Sequence, residues 1–257
     1  YRVDLSETES IHFSEKFRAV KSALPFFAPT LELIQLKLLL FNQSFPEFTE
    51  NEGMGLRRQL ERTLTKNKHF QGAKLTLTFR FSENKTHYTI HSETTENIGY
   101  QLNEKGLFVD IFGKIQKPVS QLTTLSLGSS AYWDIARRYQ DKSNADEYLL
   151  INTNESVIEF PESNIYLIVG QKVIGASESD GAYLDVTKPI MLDIFDALNL
   201  EYTEDEEITP DTLRAADEIL KVNAIDGIQW VIGWGEKRFF NQKIRKINEW
   251  FNKLVLS

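Results

Sequence analysis

The run Lys74-Leu75-Thr76-Leu77-Thr78-Phe79-Arg80-Phe81 alternates polar and apolar residues without a break, and no other stretch of the chain restricts the fold so tightly. Successive side chains of a strand point to opposite faces, so Leu75, Leu77, Phe79 and Phe81 form an apolar face and Lys74, Thr76, Thr78 and Arg80 a wet one. A sheet with one apolar face needs a second layer to cover it. Ser82 to Lys85 supplies turn residues and Tyr88 and Ile90 resume the alternation, which predicts an antiparallel hairpin over 74–92. The covering layer is at hand upstream. Leu31, Leu33, Ile34, Leu36, Leu38, Leu39, Leu40 and Phe41 predict a helix with a broad buried face, started by Pro29 and Thr30. Met54 to Leu64 predicts another, with Arg57, Arg58, Glu61 and Arg62 on its wet side. The first hundred residues or so therefore read as a small α/β layer.

Gly113 to Thr124 is polar, carries Pro118 and lacks periodicity, which predicts an interdomain connection. The expected organisation is a small α/β domain over 1–112, the connection over 113–124 and a larger α/β domain over 125–257. In the larger domain a helix is predicted from Ser129 to Gln140, followed by an apolar run at Tyr148 to Ile151. Short strands are predicted at Ser156 to Ile158, Ile165 to Val169 and Val173 to Ile174. Pro189 to Leu198 is helical in period, and Thr209 with Pro210 is an N-cap followed by proline at the first helical position, opening a helix to Ala215. The tail from Asn241 to Leu254 predicts an amphipathic helix with Ile244, Ile247, Phe251 and Leu254 on one face.

Charge and composition exclude whole classes of function. Lys and Arg total 29 against 37 Asp and Glu, a net charge of -8, so no global positive field favours nucleic acid. The longest apolar stretches, such as Leu36 to Phe41 broken by Lys37, fall far short of the roughly 18 to 20 residues of a membrane-spanning helix. With no cysteine there are no disulfides, thiolate zinc sites or cysteine nucleophile, and a reducing compartment, the cytoplasm, is expected. The first residue is Tyr1 rather than Met, so the lack of a signal peptide adds only partial support.

Single residues point to no chemistry by themselves. The imidazoles are His12, His69, His87 and His91; His87 and His91 share one side of a strand but lie about 13 Å apart, too far for one ion, and no metal site is expected. Glu204 to Glu207 lacks the alternating ligands of a calcium loop and reads as a solvated turn. Gly227, Gly233 and Gly235 make no phosphate-cradling fingerprint, and no Gly-x-Ser-x-Gly elbow occurs. Ser129 and Ser130 read as the start of a helix, and Trp230, Trp234, Phe239 and Phe240 as core.

Four segments nevertheless carry a resemblance. Ala145-Asp146-Glu147-Tyr148-Leu149-Leu150-Ile151-Asn152, Val157-Ile158-Glu159 with Ser163-Asn164-Ile165-Tyr166, Leu184-Asp185-Val186-Thr187-Lys188, and Ala216 to Ile219 with Asn223-Ala224-Ile225-Asp226-Gly227-Ile228 follow in order. Together they resemble the larger domain of the class IV aminotransferases, the pyridoxal-phosphate fold type of branched-chain aminotransferases, D-amino acid aminotransferases and aminodeoxychorismate lyases. The likeness runs from about 122 to 245; upstream, Phe17 to Lys21 and Phe27 to Leu36 only suggest the family's first strand and helix. The resemblance implies a two-domain α/β fold of the D-amino acid aminotransferase-like kind, a cleft between the domains and a homodimer.

The family's chemistry needs a lysine amine for a Schiff base, a carboxylate on the pyridine nitrogen and a grip on phosphate. By the resemblance, the lysine position falls on Ser126, whose hydroxyl cannot form an imine, while Glu159 keeps the pyridine-nitrogen position. Ser163, Asn164, Val186, Thr187 and Lys188 are the remaining cofactor-binding positions. The phosphate arginine falls on Gln35 with Glu32 in a histidine place, the glycine of the phosphate turn is Asp185, the hydroxyl of the second phosphate loop is Ala224, and a Gly-Asp-Gly segment reads Phe13-Ser14-Glu15. Lys188, Lys221 and Lys117 are the alternative amines. A plainer reading stands beside this: Ser163 and Asn164 close a turn, Ile165 starts a buried strand and Glu159 is a hydrogen-bonded carboxylate. The expectation is a pseudoenzyme without bound pyridoxal phosphate that binds a small metabolite or a protein partner. The alternatives are an active aminodeoxychorismate lyase or transaminase with a displaced lysine, and a structural dimeric subunit.

Overall fold

A computed structural model describes residues 11–82, 85–140 and 142–256. The chain divides into two compact units, one ending at Gly99 and the other beginning at Tyr100.

In the first unit, strand β1 (Ile11–Val20) is followed by helices α1 (Phe27–Leu40), α2 (Pro46–Thr49) and α3 (Met54–Asn67), then strands β2 (Gly72–Ser82) and β3 (Lys85–Thr94). The strands form one antiparallel sheet in the order β1-β2-β3. Leu75, Leu77 and Phe79 of β2 are buried as the alternation requires, and Leu56, Leu60 and Leu64 of α3 are buried with them. Phe13, Phe48 and Tyr88 surround the Phe79 ring at centroid distances of 4.7, 5.5 and 5.7 Å. The predicted hairpin forms; the middle of its turn, 83–84, lies outside the described residues. Helix α1 starts before the predicted Pro29, which its first turn tolerates because N–H groups there have no intrahelical acceptor. The only charge among its apolar residues from Leu33 on, Lys37, is buried and pairs with Glu15 of β1, while Leu36, Leu39 and Leu40 face outward.

The second unit opens with β4 (Leu107–Lys117), the short helix α4 (Gln121–Thr124) and α5 (Ser130–Gln140). Strands β5 (Glu147–Asn152), β6 (Val157–Glu159), β7 (Asn164–Val169) and β8 (Lys172–Gly175) follow, then α6 (Lys188–Ala197), β9 (Glu201–Thr203) and α7 (Pro210–Ala215). The chain closes with β10 (Glu218–Asn223), β11 (Gly227–Trp234), β12 (Lys237–Arg238) and α8 (Gln242–Val255). Among the described residues nine strands make one mixed sheet in the order β6-β5-β4-β11-β10-β7-β8-β9, with β12 on β11. Its core includes Val109, Leu149, Leu167, Ile219 and Val231. Thr209 caps α7 in a reciprocal pair with Thr212, and Ile244, Ile247 and Phe251 of α8 are buried; Leu254 is largely exposed.

The predicted connection over 113–124 is corrected. The division falls at Gly99, and 113–117 belong to β4. Residues 113–116 bulge: Phe112 pairs with Leu150 and Lys117 with Asn152, so four residues of β4 face a single residue of β5. The bulged residues are exposed, and Lys117 returns to the interior.

Candidate functional site

The bulge in β4 sets Lys117 beside the end of β6. Glu159, last residue of β6, stands opposite Leu150 of β5, and Lys117 Nζ lies 2.6 Å from its Oε2. Both side chains are 0% exposed. Trp133 of α5 donates its indole Nε1–H to Glu159 Oε1 at 2.7 Å, and the Tyr183 backbone amide adds a further donor. The Trp133 and Tyr183 rings meet edge to face at 5.3 Å, closing one side. Burial pushes the Glu159 carboxyl up and the Lys117 ammonium down, and each group is the main support of the other's charge. The unit thus buries a matched pair whose carboxylate is met by donors from three directions.

At the turn before α6, the glycine expected at 185 is a buried aspartate. Its Oδ1 accepts from the Thr187 backbone N–H at 2.9 Å and from the Thr187 hydroxyl. Val186 is half-buried between them. In the loop joining β10 to β11, Asn223 Oδ1 accepts from the amides of Ile225 at 2.8 Å and Asp226 at 2.7 Å. Asn223 Nδ2 in turn donates to Ser163 Oγ at 2.8 Å. Gly227 ends that loop at φ +74, and a Cβ there would come within 2.7 Å of the Tyr100 ring, so its role is conformational. Ser163 and Phe160 exchange backbone hydrogen bonds of 3.0 and 3.1 Å that close the turn between β6 and β7, and Ile165 is core. Asn164 is buried with its Oδ1 lacking a hydrogen-bond partner.

Ser126 sits at φ +59 in the turn between α4 and α5, its amide donating to the Thr123 carbonyl. The alternative amines are engaged: Lys221 with Glu147 at 2.6 Å, and Lys188 with Glu178 at 3.0 Å and Glu204 at 2.6 Å. The acidic stretch forms the solvated turn expected, with Asp205, Glu206 and Glu207 exposed, and its side chains also make pairs. Glu204 holds Lys188 of α6, Glu206 pairs with Lys172 of β8, and Glu207 accepts from Ser156, just before β6, at 3.0 Å. Phe240, expected in the core, is exposed, whereas Phe239 is buried. In the first unit Gln35 donates to the Phe48 carbonyl at 2.6 Å, Glu32 is exposed and Glu15 is paired with Lys37. Trp133 and Tyr183 escaped the sequence reading, and Asn223 entered it only as part of a longer segment. Trp133 and Tyr183 carry no motif, but Asn223 ahead of a Gly-terminated loop has the signature of an Asx turn.

These donors do not fit pyridoxal phosphate. At the phosphate turn of the resemblance the Thr187 amide and hydroxyl are taken by the Asp185 carboxylate, and the Ala224 position offers no hydroxyl in a loop whose Ile225 and Asp226 amides are held by Asn223. The carboxylate for its ring nitrogen already holds an ammonium.

The sequence matches the family profile of amino-transferase class IV over residues 51–234. No curated protein matches it significantly. Solved structures match its fold closely. A Legionella pneumophila protein described as a 4-amino-4-deoxychorismate lyase superposes with a TM-score of 0.81 at 17% identity, covering 95% of this chain and 91% of its own. The branched-chain aminotransferase of Thermoproteus uzoniensis with norvaline gives 0.82 at 16% identity, covering 95% and 86%. An aminotransferase of Brucella abortus bound to PLP gives 0.82 at 12% identity, covering 98% and 92%.

Proposed function

The chain belongs to the class IV aminotransferase family, and on that premise we propose that it is a member without pyridoxal-phosphate chemistry, a pseudoenzyme that acts by binding a small metabolite or a protein partner. One observation carries the reading. The Thr187 amide and hydroxyl at the phosphate turn are spent on the Asp185 carboxylate, so that grip is occupied from within the chain. Ser126 in the lysine position agrees with it, since a hydroxyl forms no imine. The protein acts as a cytoplasmic homodimer in this proposal. Among the described residues no helix is long and apolar enough to cross a membrane.

Protein incubated with pyridoxal phosphate and freed of excess cofactor by desalting is colourless, and borohydride treatment after desalting leaves no stoichiometric pyridoxyl label on any one lysine. A yellow preparation with label at one lysine refutes the proposal. Lys117 is the amine to watch, because its Nζ already lies beside the carboxylate expected to face the ring. Label there supports the second reading, an active lyase or transaminase with a displaced lysine.

A further inference from the structure

We infer that Lys117 is a built-in counter-cation, an alkylammonium supplied by the chain itself to a cation site formed by Glu159, Trp133 and the Tyr183 amide. The inference rests on the proposed function, because it takes Glu159 to be closed to outside ligands. A buried carboxylate needs a cation and hydrogen-bond donors to remain in an apolar interior. Here the indole and the amide supply neutral donors, and only Lys117 supplies charge. The lysine reaches the site because β4 bulges at 113–116 and turns residue 117 inward. Phe112, Trp133 and Leu150 pack together in one core cluster with Tyr183 against them, and the Lys117 side chain, across the bulge from Phe112, is wholly buried. The site is therefore shaped for one primary ammonium on a short alkyl chain, and removing the lysine stem uncovers it as a binding site for such a cation.

Chemical rescue tests this directly. Lys117→Ala deletes Cγ, Cδ, Cε and Nζ, the atoms of n-propylammonium. The truncation leaves a buried carboxylate without its cation and lowers the folding equilibrium constant by about two to three orders of magnitude. n-Propylammonium raises the melting temperature of Lys117→Ala, and 1-propanol and tetramethylammonium at matched concentration and ionic strength do not, since neither is a charged hydrogen-bond donor. None of the three raises that of the wild-type protein. A Lys117→Met/Glu159→Gln variant, which removes both charges, is more stable than Lys117→Met, and this comparison stands even where Lys117→Ala fails to fold. Equal stabilisation of Lys117→Ala by propanol, or a double variant no more stable than Lys117→Met, overturns the inference. Borohydride labelling of wild-type Lys117 by pyridoxal phosphate would overturn the proposed function, while the amine rescue separately decides the cation site.

Discussion

Replacing Ser126 with lysine returns an amine to the position where the family resemblance places one, and the structure gives reason to expect that it restores little. Ser126 already adopts φ +59, so a lysine there meets the same left-handed backbone as the serine and adds no new strain. The obstacle is the anion side. Four donors, the Thr187 amide and hydroxyl and the Ile225 and Asp226 amides, point at Asp185 and Asn223. Hydrogen bonds to charged groups contribute about 1.5 to 3 kcal/mol each, so a phosphate denied two of them loses about 3 to 6 kcal/mol, two to four orders of magnitude in affinity. The Asp185 carboxylate adds repulsion, about 4 kcal/mol for two unit charges 4 Å apart at an effective dielectric constant near 20. Ser126→Lys is expected to remain free of tightly bound pyridoxal phosphate by equilibrium dialysis and absorbance. Adding Asp185→Gly should tighten binding by about two to three orders of magnitude by removing that repulsion. Tight binding by Ser126→Lys alone, with turnover of D-alanine, a branched-chain amino acid or aminodeoxychorismate, would sink the reading of 185–187 as self-occupied.

Two further outcomes are expected. Sedimentation should find a homodimer, and a stable monomer of 29.7 kDa at high concentration would count against it and against a purely structural dimeric role. Burial works to depress Lys188, but Glu204 and Glu178 outweigh it and hold the ammonium above the ordinary lysine value. A cation with a raised folded pKa contributes stability that is complete below its unfolded pKa of about 10.4 and is lost as pH rises through the folded value. The stability difference between wild type and Lys188→Met should therefore hold from neutral pH to about pH 10 and shrink only in stronger alkali; a difference that disappears by pH 8 would contradict the pairing.

Much of the fold was legible because periodicity reports burial directly. The alternation at 74–81 announced β2, and the spacing of Ile244, Ile247 and Phe251 announced α8. What misled was polarity with a non-local cause. Residues 113–116 look like a linker because a bulge exposes them, and a bulge depends on the register of β5, which lies outside any local window. Lys37 looked like an interruption on a helix, yet its partner Glu15 comes from strand β1. The acidic run at 204–207 is exposed as its composition suggests, but its partners Lys188, Lys172 and Ser156 could not be read locally. At the candidate site, Glu159, Asp185 and Ala224 could be placed by resemblance, and Asp185 was flagged as wrong for a phosphate. The pairing of Glu159 with Lys117, and the capture of loop amides by Asn223, follow from the tertiary path of the chain and from side-chain direction.

The position of β4 also governs the order in which this unit can be assembled. Its two neighbours run parallel to it, β5 on one side and β11 on the other, and Leu107 meets Val231 across more than a hundred residues of chain. During synthesis β4 can find β5 early, whereas its other edge stays unpaired until almost all of the unit has emerged. Such late closure of a parallel pair is slow, and the waiting edge is a template for another chain. Phe108, Val109, Ile111 and Phe112 lie on that strand, so the nascent protein carries an apolar edge open until β11 is made.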